Sequence, residues 1–116
     1  MITLIYSLGF SLILTTNTTK YCGREMNGCF LHETKQIVVN VETANFKKTF
    51  YHEVGHALTY KDTELMKLCE ETDLFKSYKR IHPNAVYELM ADLYARYILN
   101  PKYLKRFPKI YNHFSK

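Results

Sequence analysis

The sequence predicts a small α+β domain in which a small antiparallel or mixed sheet with an edge strand packs on a series of helices. Strand-like apolar segments are confined to the first third of the chain, and apolar positions recur at three- and four-residue spacing from Phe46 onward. Pro83, Pro101 and Pro108 then divide the helical part. A chain of 116 residues with 47% hydrophobic and 15% aromatic residues can bury one core and not two, so residues 1–116 read as a single domain. The same apolar content excludes disordered, collagen-like and low-complexity classes.

Residues 1–19 carry no charge and read as an apolar opening with a first buried strand centred on Phe10 to Leu14. The run lacks the basic start of a signal peptide, which is the lesser alternative. Ser7, Gly9, Ser11 and Thr15 also dilute it below the roughly 20 apolar residues of a membrane span, so none is expected. A polar stretch ends at Asn27-Gly28, a dipeptide that favours a tight turn. Phe30 to His32 and Gln36 to Val41 read as two short strands folded about Glu33-Thr34-Lys35. Asn45 can cap a helix with Phe46, Phe50, Val54, Ala57 and Leu58 on one stripe. A second helical stretch, Thr63 to about Lys76, carries Leu65, Leu68, Cys69, Thr72 and Phe75 likewise. Asn84 can cap a third helix, with Val86, Leu89, Met90, Leu93, Tyr97 and Ile98 inward, that stops at Asn100-Pro101. Pro101 and Pro108 each suit a first helical position, making the tail two short helices packed through Tyr103, Leu104, Phe107 and Tyr111.

Three cysteines exclude a disulfide scaffold. Cys22 and Cys29 can pair across a loop or remain thiols, which leaves secreted and cytoplasmic locations both open. The net charge of +5 is uneven: residues 20–92 sum to −1 and residues 93–116 to +6. The basic end has no nucleic-acid-binding signature, and its aromatics alternate with charges as in packed amphipathic helices, so no nucleic-acid partner is expected.

Chemistry concentrates in His52-Glu53-Val54-Gly55-His56, an H-E-x-x-H pattern inside the first long helix. Residues four apart on a helix lie one above the other, so both imidazoles can aim at one zinc ion. Glu53, turned by about 100° from His52, can reach a metal-bound water without ligating the metal and take its proton. Chance alone would supply roughly 0.014 such matches at this composition. Gly55 costs about 1 kcal/mol relative to Ala in a helix interior, a broken local rule where another element or a ligand must come close. A catalytic zinc needs a third protein ligand. Glu88 and Asp92, four apart on the third helix, fit a pair in which the glutamate binds zinc and the aspartate accepts the N–H of a ligand histidine. His32, His82 and His113 are rival third ligands and rank below Glu88, because the carboxylate pair accounts for two residues at once.

The stretches Phe50 to Leu58 and Ser77 to Tyr111 resemble the catalytic domain of anthrax lethal factor and its smaller relatives, which include the Pro-Pro endopeptidases. These are gluzincins with an HExxH helix, a glutamate helix of the pattern E-x-x-A-E-A-F and a downstream A-P-K-T-[FY] segment. Glu88-Leu89-Met90-Ala91-Asp92-Leu93-Tyr94 matches the second element, with Asp92 where the family has Glu, and Phe107-Pro108-Lys109-Ile110-Tyr111 matches the third loosely. Ser77-Tyr78-Lys79-Arg80 looks like the family's S-Y-x-R segment, which implies that the Tyr78 hydroxyl stabilises the oxyanion, with Tyr87 as the fallback. The resemblance implies a minimal zincin: a zinc metalloendopeptidase in which His52, His56 and Glu88 hold zinc, Glu53 is the catalytic base and Asp92 supports a ligand histidine. It also implies that Gln36 to Val41 is an edge strand that pairs with an extended protein or peptide substrate. From the residues alone the same strand can equally be interior, and a monomer is expected.

Two other readings compete. Glu88-x-x-Ala91-x-x-x-Ala95 followed by Leu99-Asn100-Pro101 also resembles the second motif of the ImmA/IrrE type, small HExxH proteins that act on transcriptional repressors. A non-enzymatic basic module, in which the histidines are incidental, predicts binding that weakens steeply with salt and ignores chelators.

Overall fold

The computed structural model describes residues 2–116, with side chains from Ile5 onward. Helix α1 (Ile2–Ser7) leads through Gly9, at φ +86°, into β1 (Ser11–Thr15). A single helical turn, α2 (Thr19–Cys22), precedes the hairpin β2 (Gly28–Leu31) and β3 (Gln36–Asn40). The rest is helical: α3 (Phe46–Thr59), α4 (Thr63–Glu70), α5 (Asp73–Ile81), α6 (Ala85–Leu99), a 3-10 turn (Pro101–Arg106) and α7 (Pro108–Phe114). The molecule is thus an α+β fold with a small mixed sheet and several helices. No helix among the described residues is long and apolar enough to cross a membrane.

The sheet has the order β1-β3-β2, with β1 parallel and β2 antiparallel to β3. This corrects the expectation that Gln36 to Val41 is the edge strand. Ile37, Val38 and Val39 are all fully buried. A continuous apolar run of this kind belongs to a strand covered on both faces, and here it is the central one. The edges are β1 and β2. β1 is likewise not a buried strand: Leu14 is 53% exposed, and no strand pairs with the outer edge of β1 among the described residues.

Three local readings also change. Helix formation breaks after Glu70, because the Thr72 hydroxyl donates to the Cys69 carbonyl at 2.7 Å and accepts from the Phe75 N–H at 3.2 Å, ending one helix and capping the next. Asn84 makes no side-chain cap bond, although Asn45 does cap α3 through the Lys48 N–H. Gly28 has no positive φ and starts β2 rather than turning the chain. A Cβ there would lie 2.7 Å from the Val38 carbonyl oxygen and 3.1 Å from Glu53 Cγ, so its hydrogen side chain is required by close packing.

Two apolar clusters organise the interior. Ile5, Phe10, Ile37, Val39, Val54 and Ala57 lie between sheet and α3, while Leu65, Cys69, Leu89, Met90, Leu93, Leu104 and Ile110 unite α4, α6 and the tail. Each fully buried Leu, Ile or Val contributes about 1.5–3 kcal/mol of transfer free energy, so the α3–α6 unit is well supported from both sides. Cys22 and Cys29 form a disulfide that ties α2 to β2, and Cys69 is a buried free thiol.

An ion pair closes the tail onto α4. Asp62 caps α4 through the Leu65 N–H and accepts from His113 Nε2 at 2.6 Å. Burial opposes ionisation of Asp62, but the Leu65 and His113 hydrogen bonds outweigh it and hold the carboxyl below its usual value of 3.8. A group with a depressed folded pKa stabilises above its unfolded pKa and loses that contribution as pH falls through the folded value. Melting temperatures of wild type and Asp62→Asn are therefore expected to differ above the usual carboxyl range and to converge as pH falls through the lowered folded value. A constant difference down to the lowest pH would exclude the ion pair as its cause.

Candidate metal centre

Helix α3 and helix α6 cross where Gly55 meets Ala91. A Cβ on Gly55 would fall 2.8 Å from the Ala91 carbonyl oxygen and 3.0 Å from its Cα, both backbone atoms that cannot swing aside. This is the close approach anticipated from the helix-breaking glycine. It brings Glu88, one turn before Ala91, and Asp92, just after it, against the histidine face of α3. Gly55→Ala is expected to destabilise the fold by about 1–3 kcal/mol despite the better helix propensity of Ala, because overpacking must push the two helices apart. Urea unfolding checks this, and a stabilised variant would show that the crossing relaxes freely.

The side chains converge closely. His56 Nε2 lies 3.1 Å from His52 Nε2 and 3.1 Å from Glu88 Oε1, and His52 Nε2 lies 3.2 Å from Glu88 Oε2. On the other side of the ring, His52 Nδ1 donates to Asp92 Oδ1 at 2.6 Å. Asp92 Oδ2 in turn accepts from the Tyr78 hydroxyl at 2.5 Å. Glu53 is only 7% exposed and packs on Gly28, with a carboxylate oxygen within 4.8 Å of the histidine nitrogens.

The donor set fits a zinc ion. Ligands at the usual 2.0–2.1 Å from a tetrahedral centre are separated from one another by about 3.3–3.4 Å, close to the separation of the two histidine nitrogens and to that of each from one Glu88 oxygen, Oε2 for His52 and Oε1 for His56. The bond from His52 Nδ1 to Asp92 keeps the proton on that nitrogen and leaves Nε2 as the nitrogen aimed at this point. Glu53 is the rival third donor. Its oxygen lies within 4.8 Å of the histidine nitrogens, whereas the Glu88 oxygens lie 3.1 and 3.2 Å from them.

The electrostatics favour a cation. Burial would strip the proton from His52, but the hydrogen bonds to Asp92 and Glu88 and the charge of Glu53 outweigh it and raise the pKa to about 10. Hydrogen bonds from His52 and His56 hold the Glu88 carboxyl well below the usual range. Burial pushes Glu53 upward against the opposing pull of both histidines. The carboxylates thus retain a positive charge on His52 that a divalent ion would replace.

A cleft of about 610 Å³ opens over these groups. Met26, Gly28, Phe30 and His32 form its strand wall, Tyr60 extends the α3 floor, and Asn84, Tyr87 and Glu88 form the α6 wall. Tyr78 does not line it; its hydroxyl is turned to Asp92. Of the rival histidines, His32 lies on the wall near Tyr60, His82 lies against Tyr78, and His113 bonds Asp62 away from the cleft. Gly28 escaped sequence reasoning because Asn-Gly reads locally as a turn, and crowding from across the sheet leaves no local signal. Comparison with family models, curated proteins and solved structures finds no match to the chain.

Proposed function

We propose that the chain is a zinc metalloendopeptidase of the gluzincin kind, with the zincin-like arrangement of sheet edge, HExxH helix and glutamate helix, that hydrolyses an extended protein or peptide segment. The observation that carries this reading is a pair of histidine nitrogens 3.1 Å apart, each 3.1–3.2 Å from one oxygen of the Glu88 carboxylate, beside a separate, buried carboxylate. His52, His56 and Glu88 would hold the zinc, and Asp92 keeps His52 in the ligating tautomer. Bound zinc supplies Lewis acidity, polarising a carbonyl and lowering the pKa of water from 15.7 toward about 7. Glu53 takes the proton of the attacking water on its carboxylate and returns it to the leaving amine. Its packing against Gly28 limits its rotamers, so the base is held in place before substrate arrives.

The substrate path follows from the sheet. The Asn40 N–H donates to the Asn27 carbonyl, so alternation along β2 directs the N–H and C=O of Gly28 and Phe30 to its free edge, beside the cleft. An extended peptide can pair there and lay a scissile carbonyl over the histidines. Tyr87 and Tyr60 are the tyrosines on the cleft wall, and Tyr87, next to Glu88, is the candidate donor to an oxyanion.

The test is mass-spectrometric detection of new amino termini after incubating the zinc-loaded protein with a library of unstructured peptides. Cleavage is expected to stop with a zinc chelator and return with added zinc. Cleavage indifferent to chelator would overturn the reading. So would an inactive protein whose sole activity is salt-sensitive, chelator-indifferent retention on polyanions, the behaviour of a basic module.

A further inference from the structure

We propose that Tyr78 is a positioning residue of the metal centre: its hydroxyl holds the Asp92 carboxylate that orients His52, and it does not touch the substrate. The inference rests on the zinc-binding part of the reading above. Both Asp92 oxygens are engaged, Oδ1 with His52 Nδ1 at 2.6 Å and Oδ2 with the Tyr78 hydroxyl at 2.5 Å. A carboxylate bonded at one oxygen can still rotate about its χ2 axis, whereas one bonded at both is fixed in plane and direction. The three residues come from α5, α6 and α3, so the line Tyr78, Asp92, His52 carries the placement of one helix to a ring on another. These are charge-assisted hydrogen bonds, the stronger kind, in a half-buried setting.

The surroundings of the Tyr78 ring point the same way. It packs on the α4–α6–tail cluster and lies 5.4 Å, centroid to centroid, from His82, outside the walls of the cleft. Its hydroxyl donates its one proton to Asp92 and has none left for a developing oxyanion. α5 buries no residue completely and packs mainly on α6. The Tyr78–Asp92 bond is therefore the polar link by which α5 reaches the metal centre.

The experiment is a double-mutant cycle on zinc affinity, measured by competition with a chromophoric chelator in wild type, Tyr78→Phe, Asp92→Asn and the double variant. Groups that orient metal ligands are worth about 10–100-fold in affinity. Tyr78→Phe is expected near the lower end, about tenfold, and the double variant is expected to bind zinc no more weakly than Asp92→Asn alone. Loss of an oxyanion donor costs about 10²–10³ in turnover even at saturating zinc, so a loss of that size in Tyr78→Phe marks the rival role. Unchanged zinc affinity with lost turnover, or additive losses in the double variant, would overturn the proposal. Should Tyr78→Phe fail to fold, 3-fluorotyrosine at position 78 keeps the shape and alters only the donor strength. A changed zinc affinity then supports the proposal and an unchanged one overturns it. Wild type that binds zinc without cleaving peptides refutes the peptidase reading and leaves this assignment standing, while wild type that binds no zinc refutes both.

Discussion

Glu53→Gln is expected to reduce peptide cleavage by about 10²–10⁴-fold, the usual worth of a positioned general base, while zinc stays bound at one ion per chain. Glutamine keeps the shape of the side chain, which matters because Glu53 is packed against Gly28 with almost no exposed surface. What changes is the ability to accept a proton. Burial also makes the substitution mild for the fold, since it removes a charge that desolvation disfavours. Kinetics and metal content measured on one preparation separate the outcomes. Retained cleavage would remove Glu53 from the chemistry. Lost zinc would instead make Glu53 the third ligand and demote Glu88.

Glu88→Ala is expected to weaken zinc binding by more than about 100-fold, beyond the range typical of residues that only orient ligands. The carboxylate spans both histidines, with Oε1 on His56 and Oε2 on His52, so its removal takes away a donor and the charge that offsets the cation. Asp92→Asn, one turn along the same helix, is expected to fall within about 10–100-fold, because His52 still ligates but no longer has an ionised partner. The order of the two losses distinguishes ligand from support. Equal losses, or a larger one for Asp92→Asn, would reverse the assignment. Circular dichroism on each variant guards against unfolding as the cause.

Local periodicity reached a good part of this architecture. Asn45 and the stripe through Phe50 and Val54 mark α3, and the four-residue spacings of His52 with His56 and of Glu88 with Asp92 put each pair on one helix face. The spacing of Gly55 within the motif signalled a close crossing, and Ala91 supplies it. What stayed illegible depends on contacts between distant segments. Nothing near Gln36 to Asn40 says that a strand from residues 11–15 will lie parallel to it and make it central. Thr72 sits on the apolar stripe of a continuous helix until its hydroxyl is seen to serve both the Cys69 carbonyl and the Phe75 N–H. Tyr78 and its acceptor Asp92 lie on different helices, and only the packing of α5 on α6 brings them together, so the hydroxyl implied by resemblance for an oxyanion is found on a carboxylate. The cleft walls, Phe30, Tyr60 and Tyr87 among them, come from three separate elements and carry no joint pattern in sequence.

The +6 of residues 93–116 is likewise clearer in three dimensions. The Arg96 guanidinium lies 3.9 Å from the Tyr103 ring centroid and Arg106 lies 5.3 Å from it, so these charges cover the aromatic surface of the tail. Lys116 pairs with Glu64 beside the His113–Asp62 contact. The basic end thus packs and pins the helices behind α6, where Glu88 and Asp92 reside.

The central claim is that His52, His56 and Glu88 form one zinc site, and X-ray absorption at the zinc edge of protein loaded with one equivalent of zinc tests it most directly. The account predicts two imidazole nitrogens and light oxygen donors at about 2.0–2.1 Å, with no sulfur. A sulfur shell at about 2.3 Å, or a spectrum with one imidazole or none, would contradict it.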